Sequence, residues 1–506
     1  MIIAVIPIRN FSESKKWILD HQNAVDGFEF RLDFMKIFDL SIIALLKEIA
    51  KCPIIFTLRK KSQGGECILA EKDRLDLIQQ LCTLSPEYLD LEYDVSHEFI
   101  STITKSFPAI RLICSYHDFS NTPDNLDRIL TKMQNPLFFT YKIATQAQST
   151  LDALRILQFV QKNSKTHLLT GIAMGELGQC TRILAPVVGS YFNFVSVQNE
   201  CNVPGQLTVS DAREIYYVQK HNKNTKIFAL LGDPVEQSIG HFFHNQKIST
   251  LKKNAVYIKL KVHPDELSSV VNITKTLPFS GFSVTMPLKK TIVPLLDEVD
   301  LSVLNIGAIN TIINNSNTLK GFNTDGFGAF NAVKKHVQTL PSTIILLGAG
   351  GTARAIAHAA KNWDMQIFIF NRTLAHAQLL ADAVNGQAFS LSELHSIKQY
   401  PEALIVNTLP NNVNLFSVIP SVSEGSHQLA RDCHGQTLRG LAMTTVSNFF
   451  SKNNIVLDCV YFPRETDFLK KAKEIGCICV SGYDMFIEQA RLQLALWFPE
   501  SSQDTA

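Results

Sequence analysis

The first 200 residues alternate between short apolar runs and amphipathic stretches. Eight runs rich in β-branched and aromatic residues predict strands, and most gaps between them have the apolar spacing of helices. The predicted strands are Ile2–Ile8, Gly27–Asp33, Pro53–Arg59, Tyr88–Tyr93, Arg111–Asp118, Leu137–Thr145, His167–Met174 and Tyr191–Val197, and the clearest helices are Ser41–Lys51, Lys72–Cys82 and Gln148–Lys162. Eight strands alternating with helices predict a (β/α)8 barrel. The alternative is an open doubly wound sheet, which rarely runs to eight strands with so few breaks.

The remaining residues show two further α/β patterns after a polar stretch, Gln219–Thr225, which is predicted to be a linker. The first pattern has strands at Lys226–Gly232, Ala255–Val262, Phe282–Met286 and Ala308–Ile313. The second begins at Thr343 with a strand, a glycine turn and a helix, and has later strands at MQIFIFNR, Ala403–Asn407, Ile455–Val460 and Cys477–Val480. A last helix is predicted from about Asp484 to Phe498, whereas Asn411–Asn448 shows no clear period.

Composition narrows the class of protein. A chain of 506 residues is too long for one core, and its 48 basic and 46 acidic residues give a net charge of only +2. Without long basic runs, neither a nucleic-acid nor a membrane-surface partner is expected. The ten cysteines include no CxxC pair, so we expect reduced thiols in a cytoplasmic protein and no metal site. No apolar stretch is long enough to predict a membrane span.

Polar residues collect where the predicted barrel strands end, which is where barrels of this type carry their chemistry. Lys142 lies inside an apolar strand, FFTYKIAT, where burial would disfavour its ammonium form and leave an amine able to attack a ketone. His117 ends the preceding strand and could move protons. Together they favour a Schiff-base lyase or aldolase over a lysine that merely snorkels at a strand end.

These residues belong to a set of motifs, EFRLD, FTLR followed by GGE, DLEYD, SYHDF, YKIA, MGELGQCTR and PGQ. The set resembles type I 3-dehydroquinate dehydratase. The resemblance implies that Lys142 forms an imine with the substrate and that His117 exchanges protons. It also implies that the substrate is held by Glu29, Arg31, Arg59, Arg182, Asn202 and Gln206. Arg182 is the best candidate for the substrate carboxylate, because a guanidinium binds a carboxylate through two parallel hydrogen bonds.

Two positions depart from the dehydratase pattern. Gln63 stands where the family usually has a glutamate, and Asn202 stands where a serine is usual. Gln63 cannot exchange protons, but both side chains can still form hydrogen bonds.

The sequence GAGGTARA lies between a predicted strand and a predicted helix, which is the context of a dinucleotide-binding turn. Its backbone N–H groups suit a pyrophosphate. The following strand ends in NRT, with an arginine where an NAD site would have a carboxylate, and this favours the 2′-phosphate of NADP. The predicted cofactor-binding residues are Gly348, Ala349, Gly350, Gly351, Ala353, Asn371, Arg372 and Thr373.

Three motifs between the linker and that turn, SVTMPLKK, GAINT and GFNTDG, contain two lysines and one aspartate. A lysine can protonate a ketone oxygen during reduction, but spacing alone does not choose between Lys289 and Lys290. The motifs resemble shikimate dehydrogenase from Lys226 to about Phe498. The resemblance implies that Lys289 and Asp325 are the catalytic pair and that Ser238, Thr285, Asn310 and Gln489 bind substrate.

The family tends to read GxPxxHSxSP where this chain reads GDPVEQSIGH, so Gln237, Gly240 and His241 are departures around Ser238. The resemblances predict three domains. These are a dehydratase barrel over 1–218, a substrate domain over 226–328 completed by the helix at 484–506, and a Rossmann NADP-binding domain over 329–483.

The two resemblances fit one another, because 3-dehydroshikimate is the product of the first reaction and the substrate of the second. The expected function is dehydration of 3-dehydroquinate followed by NADPH-dependent reduction in the shikimate pathway. Alternatives are an NAD-linked quinate-utilising enzyme, a metabolite-sensing pseudoenzyme on the same folds and, for the first half alone, a class I aldolase. The presence of all four predicted catalytic residues opposes the pseudoenzyme.

Overall fold

The computed structural model describes residues 1–198, 204–409 and 449–499. The chain forms two compact units, residues 1–280 and 281–506. The stretch Asn411–Asn448, the predicted site residue Asn202 and residues 500–506 of the segment predicted to complete the substrate domain lie outside the described residues. The three predicted domain boundaries stay a prediction.

The first unit begins with eight parallel strands and eight helices. The strands are β1 (Ile2–Pro7), β2 (Gly27–Arg31), β3 (Ile54–Thr57), β4 (Tyr88–Glu92), β5 (Arg111–Asp118), β6 (Thr140–Gln146), β7 (Leu169–Met174) and β8 (Asn193–Ser196). The helices are α1 (Phe11–His21), α2 (Leu40–Ile49), α3 (Glu71–Cys82), α4 (His97–Ser106), α5 (Leu126–Met133), α6 (Thr150–Asn163), α7 (Gln179–Ile183) and α8 (Ala185–Val188). The strand order β7-β6-β5-β4-β3-β2-β1-β8 confirms the predicted (β/α)8 barrel.

Local sequence explains where these elements start and how the barrel closes. The side chains of Asn10, Asp39, Ser96, Asn125 and Ser149 accept hydrogen bonds from first-turn N–H groups of α1, α2, α4, α5 and α6, so each helix begins at a capping residue. At the seam, the Tyr191 N–H donates to the Leu169 carbonyl at 2.8 Å. Inward-facing apolar side chains fill the interior, among them Ile55, Tyr88, Ile113, Ile172 and Phe192.

The first unit continues past the barrel. A π-helical turn at Asp211–Ile215 precedes the predicted linker, which is held by hydrogen bonds. Thr225 Oγ1 donates to Asn254 Oδ1 at 2.6 Å and is itself an acceptor for the Asn222 N–H. Two parallel strands and two helices follow, namely β9 (Lys226–Gly232), α9 (Gly240–Thr250), β10 (Ala255–Lys261) and α10 (Leu267–Thr274). Strand β11 (Phe279–Val284) spans the boundary between the units.

The second unit opens with antiparallel pairing. The elements are α11 (Leu288–Thr291), β12 (Glu298–Val299), α12 (Leu301–Ile306), β13 (Thr311–Asn315), β14 (Thr318–Phe322) and α13 (Asp325–Lys334). Residues 281–283 of β11 pair with β13, and β13 pairs with β14 through a tight turn in which Ser316 and Asn317 have positive φ. Two such residues are what a two-residue hairpin turn requires.

A parallel sheet completes the second unit. Its elements are β15 (Thr343–Leu347), α14 (Gly351–Ala360), β16 (Gln366–Asn371), α15 (Leu374–Val384), β17 (Gln387–Ser390), β18 (Leu404–Asn407), β19 (Ile455–Asp458), α16 (Asp467–Ile475), β20 (Ile478–Val480) and α17 (Gly482–Trp497). The order β17-β16-β15-β18-β19-β20 is the 3-2-1-4-5-6 order of a Rossmann sheet, as predicted. Across the described ranges, no helix has the length and apolar character needed to cross a membrane.

Candidate active sites

The barrel brings charged side chains from five neighbouring strands onto its inner surface. Side chains alternate between the two faces of a strand, so Ser115 and His117 share the inner face of β5 with the core residue Ile113. The register places Ser115 opposite Lys142 of β6. By the same alternation, the inner face carries Glu29 and Arg31 on β2, Thr57 and Arg59 at the end of β3, and Asp90 and Glu92 on β4.

Lys142 is buried, as its position in an apolar strand predicts, but it lies among charges. Its Nζ is 3.3 Å from Asp90 Oδ2 and 3.5 Å from Glu29 Oε1, and 4.1 Å from the centre of the Phe194 ring. Glu29 is held by a 2.8 Å hydrogen bond from Thr57 Oγ1. The amine therefore points at the barrel axis between two fixed carboxylates.

A buried charge network that the sequence analysis did not identify surrounds this amine. Arg59 Nη2 is 2.8 Å from Asp90 Oδ2, and Arg59 Nη1 donates to Ser115 Oγ at 2.6 Å. Burial by itself would raise the pKa of Asp90, but the Arg59 and Lys142 cations outweigh it and hold that pKa below its usual range. Glu92 joins Arg59 to Arg74 of α3, whose Nη1 donates to Glu92 Oε2 at 3.0 Å.

His117 is suited to accept a proton. Burial is the largest cause of a pKa well below its usual value, and the nearby cations of Arg59 and Lys142 lower it further. Within the described residues, the buried Nδ1 of His117 has no hydrogen-bond partner. The backbone N–H of His117 donates to Gln63 Oε1 at 3.2 Å, so Gln63 contacts the residue that the sequence analysis expects to move protons.

Two arginines among the predicted substrate ligands differ in their partners. Arg31 forms a fork with Asp33, with hydrogen bonds of 2.9 and 2.8 Å. Arg182 is buried, and its Nη1 donates to the carbonyls of Ala173 and Gly205, at 3.1 and 3.3 Å. Burial without a carboxylate partner lowers the pKa of Arg182 to about 10. Its Nε has no partner among the described residues, so an anion would complete its hydrogen bonding.

The PGQ turn places Gln206 next to this guanidinium. Gly205 has a φ of +77°, and a Cβ there would lie 1.9 Å from the Gly175 carbonyl oxygen, so only glycine fits. The turn is tied to the end of β7 by a 3.1 Å hydrogen bond from the Gly175 N–H to the Pro204 carbonyl. Gln206 therefore follows directly on the carbonyl that Arg182 contacts.

The second unit brings together Lys289, Asp325 and Asn310. The ammonium of Lys289 pairs with Asp325 Oδ2, and Asn310 Nδ2 donates to Asp325 Oδ1 at 2.6 Å. The spacing of the motifs could not distinguish Lys289 from Lys290. The structure does, because Lys290 is not part of this cluster. Burial and the nearby Arg354 cation lower the pKa of Lys290. Thr285 begins the short turn that leads to α11, with its carbonyl accepting from the Leu288 N–H.

The last helix, α17, lies against this cluster. Asn310 Nδ2 donates to Gln489 Oε1 at 3.2 Å, and Thr324 Oγ1 donates to the Gln489 carbonyl at the same distance. One turn later, Gln493 Nε2 donates to the Asn310 carbonyl at 3.0 Å. Thr324 and Gln493 were missed by the sequence analysis, although Thr324 stands inside the GFNTDG motif.

Ser238 lies in the first unit, in the turn that precedes α9. Its Oγ accepts a 3.2 Å hydrogen bond from the Gly240 N–H, and its backbone N–H donates to the Val235 carbonyl at 3.1 Å. The three departures from the family pattern, Gln237, Gly240 and His241, flank this serine.

The glycine turn after β15 has the form that a dinucleotide needs. Gly348 has a φ of +112°, and a Cβ there would lie 2.4 Å from Thr408 Oγ1. A Cβ on Gly350 would meet nothing within 4 Å, so this part of the turn is open. Gly350 caps α14 without any side-chain hydrogen bond, which leaves the first N–H groups of the helix available to a phosphate. The turn therefore fits a pyrophosphate.

Arg372 follows β16 at the edge of this turn, and its side chain is exposed. Asn371 Nδ2 donates to the Thr373 carbonyl at 2.9 Å, which fixes the backbone around Arg372. Ala349 and Ala353 are the remaining predicted cofactor residues. Ala353 is buried in α14, in the core cluster that includes Ile344 and Leu346 of β15. In the part of the chain that is described, no group of three or more His, Cys, Asp or Glu side chains could hold a metal ion.

Comparison with known proteins gives matches along both units. The protein-family model of type I 3-dehydroquinase matches residues 2–223. The family model of the shikimate dehydrogenase substrate binding domain matches residues 230–312, and that of shikimate/quinate 5-dehydrogenase matches residues 331–415.

Relatives extend these matches over almost the whole chain. The chain is 32% identical over 502 residues to the shikimate biosynthesis protein AroDE of Chlamydia pneumoniae, covering 99% of this chain and 96% of that protein. It is 32% identical over 501 residues to the chloroplastic bifunctional 3-dehydroquinate dehydratase/shikimate dehydrogenase of Arabidopsis thaliana, covering 94% of this chain and 78% of that protein. A shikimate dehydrogenase (NADP(+)) of Alkaliphilus metalliredigens is 32% identical over 278 residues, covering 54% of this chain and 92% of that protein. The chain therefore belongs to the family of bifunctional 3-dehydroquinate dehydratases/shikimate dehydrogenases.

Proposed function

We propose that the barrel dehydrates 3-dehydroquinate through an imine at Lys142 and that the rest of the chain reduces the product with NADPH. The observation that carries the proposal is the buried Lys142 amine, which lies between two carboxylates on the same inner surface as His117. Membership in the bifunctional family gives both activities and their place in the shikimate pathway.

In the first reaction, the Lys142 amine adds to the substrate ketone, one proton is taken up and water leaves, which gives a cationic imine. The imine acidifies the neighbouring C–H, and the neutral imidazole of His117 takes that proton. His117 then returns the proton to the departing hydroxyl, which leaves as water. Hydrolysis of the imine releases 3-dehydroshikimate and restores the amine.

Substrate binding in the barrel uses the groups around this amine. Arg182 pairs with the substrate carboxylate, because its buried guanidinium has only two carbonyl acceptors among the described residues. Gln206, Arg31 and Glu29 contact the ring hydroxyls. Arg59 already has Asp90 as a partner, so its main contribution is to hold that carboxylate beside Lys142.

In the second reaction, Lys289 donates a proton to the ketone oxygen of 3-dehydroshikimate. Asp325 holds the ammonium in place, and Asn310 fixes Asp325 from the other side. Asn310, Thr285, Gln489 and Ser238 bind the substrate's hydroxyl and carboxylate groups, as the family resemblance implies.

NADPH supplies the hydride when it is bound. Its pyrophosphate is held by the backbone of Gly348, Ala349, Gly350 and Gly351, with Ala353 allowing close packing of α14. Arg372, Asn371 and Thr373 hold the 2′-phosphate. Support comes from the exposed guanidinium of Arg372 at the end of β16 and from relatives named shikimate dehydrogenase (NADP(+)).

The decisive experiment traps the imine. Borohydride added together with 3-dehydroquinate should inactivate the dehydratase, and peptide mass spectrometry should find the reduced adduct on Lys142. Lys142→Arg keeps the charge but cannot form an imine, so it should give no adduct. An adduct on any other lysine would contradict the assignment. The same preparation without borohydride, given 3-dehydroquinate and NADPH, should oxidise NADPH and release shikimate.

A further inference from the structure

Tyr216 follows the π-helical turn at Asp211–Ile215 and packs against helix α9, which lies after the barrel in the first unit. Tyr216 is 4% exposed, and its ring stacks on the imidazole of His241 in α9, with ring centres 6.0 Å apart and planes 21° from parallel. The backbone of Tyr216 is fixed as well. Its N–H donates to the Asp211 carbonyl at 3.1 Å, and its carbonyl accepts from His221 Nε2 at 2.7 Å.

His241 connects this ring to the turn that contains Ser238. His241 is 7% exposed and stands in the first turn of α9, directly after Gly240, whose N–H donates to Ser238 Oγ at 3.2 Å. The His241 ring also lies beside the Phe242 ring, with ring centres 3.9 Å apart. A chain of contacts therefore runs from the Tyr216 ring through His241 and the first turn of α9 to Ser238 Oγ.

The position of His241 explains why such a contact is needed. Shikimate dehydrogenases tend to have proline here, and the proline ring fixes its own φ. Histidine has no such restriction, so the turn requires another means of holding Ser238 in one place. In this chain the Tyr216 ring stacks on His241 and so holds the first turn of α9, whose Gly240 N–H binds Ser238 Oγ.

We infer that Tyr216, which is contributed by the segment that joins the two enzymes, is a positioning residue that fixes the substrate-binding turn at Ser238 through His241. The inference rests on the proposed role of Ser238 in binding 3-dehydroshikimate and shikimate. Through this contact, the segment that joins the two enzymes contributes to substrate binding by the reductase. The dehydratase gains nothing from the contact.

The test is steady-state kinetics of both reactions in the intact chain. Tyr216→Ala should raise the reductase KM for shikimate roughly three- to tenfold, the range expected from losing an aromatic pair. Its kcat, its KM for NADP and the dehydratase activity should stay within about twofold of wild type. Tyr216→Phe keeps the ring and should behave as wild type.

A matched control comes from the next residue. Tyr217 has a φ of +51°, and its ring lies 4.6 Å from the Lys220 ammonium. Tyr217→Asn removes a tyrosine ring from the same segment and tolerates the positive φ. It should leave the KM for shikimate unchanged. A rise equal to that of Tyr216→Ala would show that any disturbance of the segment has this effect, and the inference would be wrong.

A double-mutant cycle isolates the contact itself. His241→Leu should raise the KM for shikimate, and adding Tyr216→Ala to it should produce no further rise. Tyr216→Leu replaces Tyr216→Ala in the cycle if the alanine variant does not fold. If the two substitutions raised the KM independently, so that their effects multiplied in the double variant, the inference would be wrong. An unchanged KM for shikimate in Tyr216→Ala would also overturn it. So would a fall in the reductase kcat and in the dehydratase activity by the same factor as the KM rises. A wild-type chain that fails to reduce 3-dehydroshikimate would instead refute the proposed function.

Discussion

At the scale of single residues, Gln63 contacts His117, the proposed base of the dehydratase. Its amide oxygen accepts a hydrogen bond from the His117 N–H, whereas the family pattern has a glutamate at this position. Gln63→Glu would bring a negative charge to a buried imidazole whose neighbours are mostly cationic. A negative charge favours the protonated imidazole and therefore raises its pKa.

The expected outcome is a shift in the pH profile of the dehydratase. In the proposed mechanism His117 is the base in its neutral form, so activity should be lost as the pH falls through its pKa. Gln63→Glu should move the acid limb of kcat/KM to higher pH by up to about one unit. Ser62→Glu, which adds a charge to an exposed position of the same turn, should move it much less. An unshifted limb in Gln63→Glu would show that His117 is not the titrating group.

A second residue, Arg372, tests the cofactor proposal. A charge-assisted hydrogen bond contributes about 1.5–3 kcal/mol, which corresponds to roughly one to two decades in affinity. Arg372→Ala should raise the KM for NADPH by that factor and leave the KM for NADH almost unchanged. Arg372→Lys keeps the charge without the planar fork and should fall between alanine and wild type. Equal losses with both cofactors would contradict contact with the 2′-phosphate.

The site residues that the sequence could identify are those whose own position carries a signal. Lys142 is a charged side chain inside an apolar strand, and Asp325 stands in a glycine-bordered motif. Asp90 and Ser115 stand in two of the motifs, but the sequence does not show which residues they pair with, because the partners come from different elements and meet only when the barrel closes. Arg74 carries no signal of its own, although it donates to the buried Glu92. Charge networks of this kind depend on three-dimensional register, which hydrophobic periodicity does not encode.

At the scale of elements, some strands have the bounds that the sequence predicts. Strand β5 has the predicted bounds, and β9 begins and ends where the pattern does. The hairpin of β13 and β14 was missed because β14 contains a lysine and a glycine, although the NNSN sequence before it is typical of a tight turn. The docking of α17 could be inferred only through the resemblance, because its apolar spacing does not show which strands it covers.

The docking of α17 depends on a buried amide. Gln493 donates to the Asn310 carbonyl and to Thr311 Oγ1, both at 3.0 Å, and accepts from Ser283 Oγ at the same distance. Gln493→Ala leaves these buried groups without partners, at a cost of about 1–3 kcal/mol each. We expect a lower midpoint in denaturant-induced unfolding and a higher KM for shikimate, because the same helix carries Gln489.

Arg491 offers a control on the same helix. Its side chain is largely exposed and pairs with Glu488 at 2.9 Å, so Arg491→Ala should change stability by less than about 0.5 kcal/mol. If Gln493→Ala unfolded at the same denaturant concentration as Arg491→Ala, the buried amide would not be what holds the helix.

At the scale of the whole molecule, the joining segment differs from the sequence expectation. A stretch of polar residues predicted a linker, but Thr225 is buried and hydrogen-bonded to Asn254. Within the first unit, helix α6 of the barrel packs against α10, and Gln158 Nε2 donates to Thr276 Oγ1 at 2.9 Å. Apolar periodicity could not reveal this packing, since polar side chains also form it. Expressing the two sides of this segment as separate chains would therefore remove the packing of α6 against α10.

Packing between the halves of the first unit does not make the two chemistries depend on each other. Every group proposed for dehydration lies before Asp211, and the proton donor and its partners for reduction lie in the second unit, beyond Ser280. In the intact chain, Lys142→Ala should abolish dehydration because no amine remains to form the imine, and it should spare the reductase. Lys289→Ala should lower the reductase kcat by roughly two to four decades, the contribution typical of a positioned acid, and spare the dehydratase. Both activities are measured in each variant, with circular dichroism to verify folding. Loss of reductase activity in a folded Lys142→Ala protein would show that the two sites are coupled.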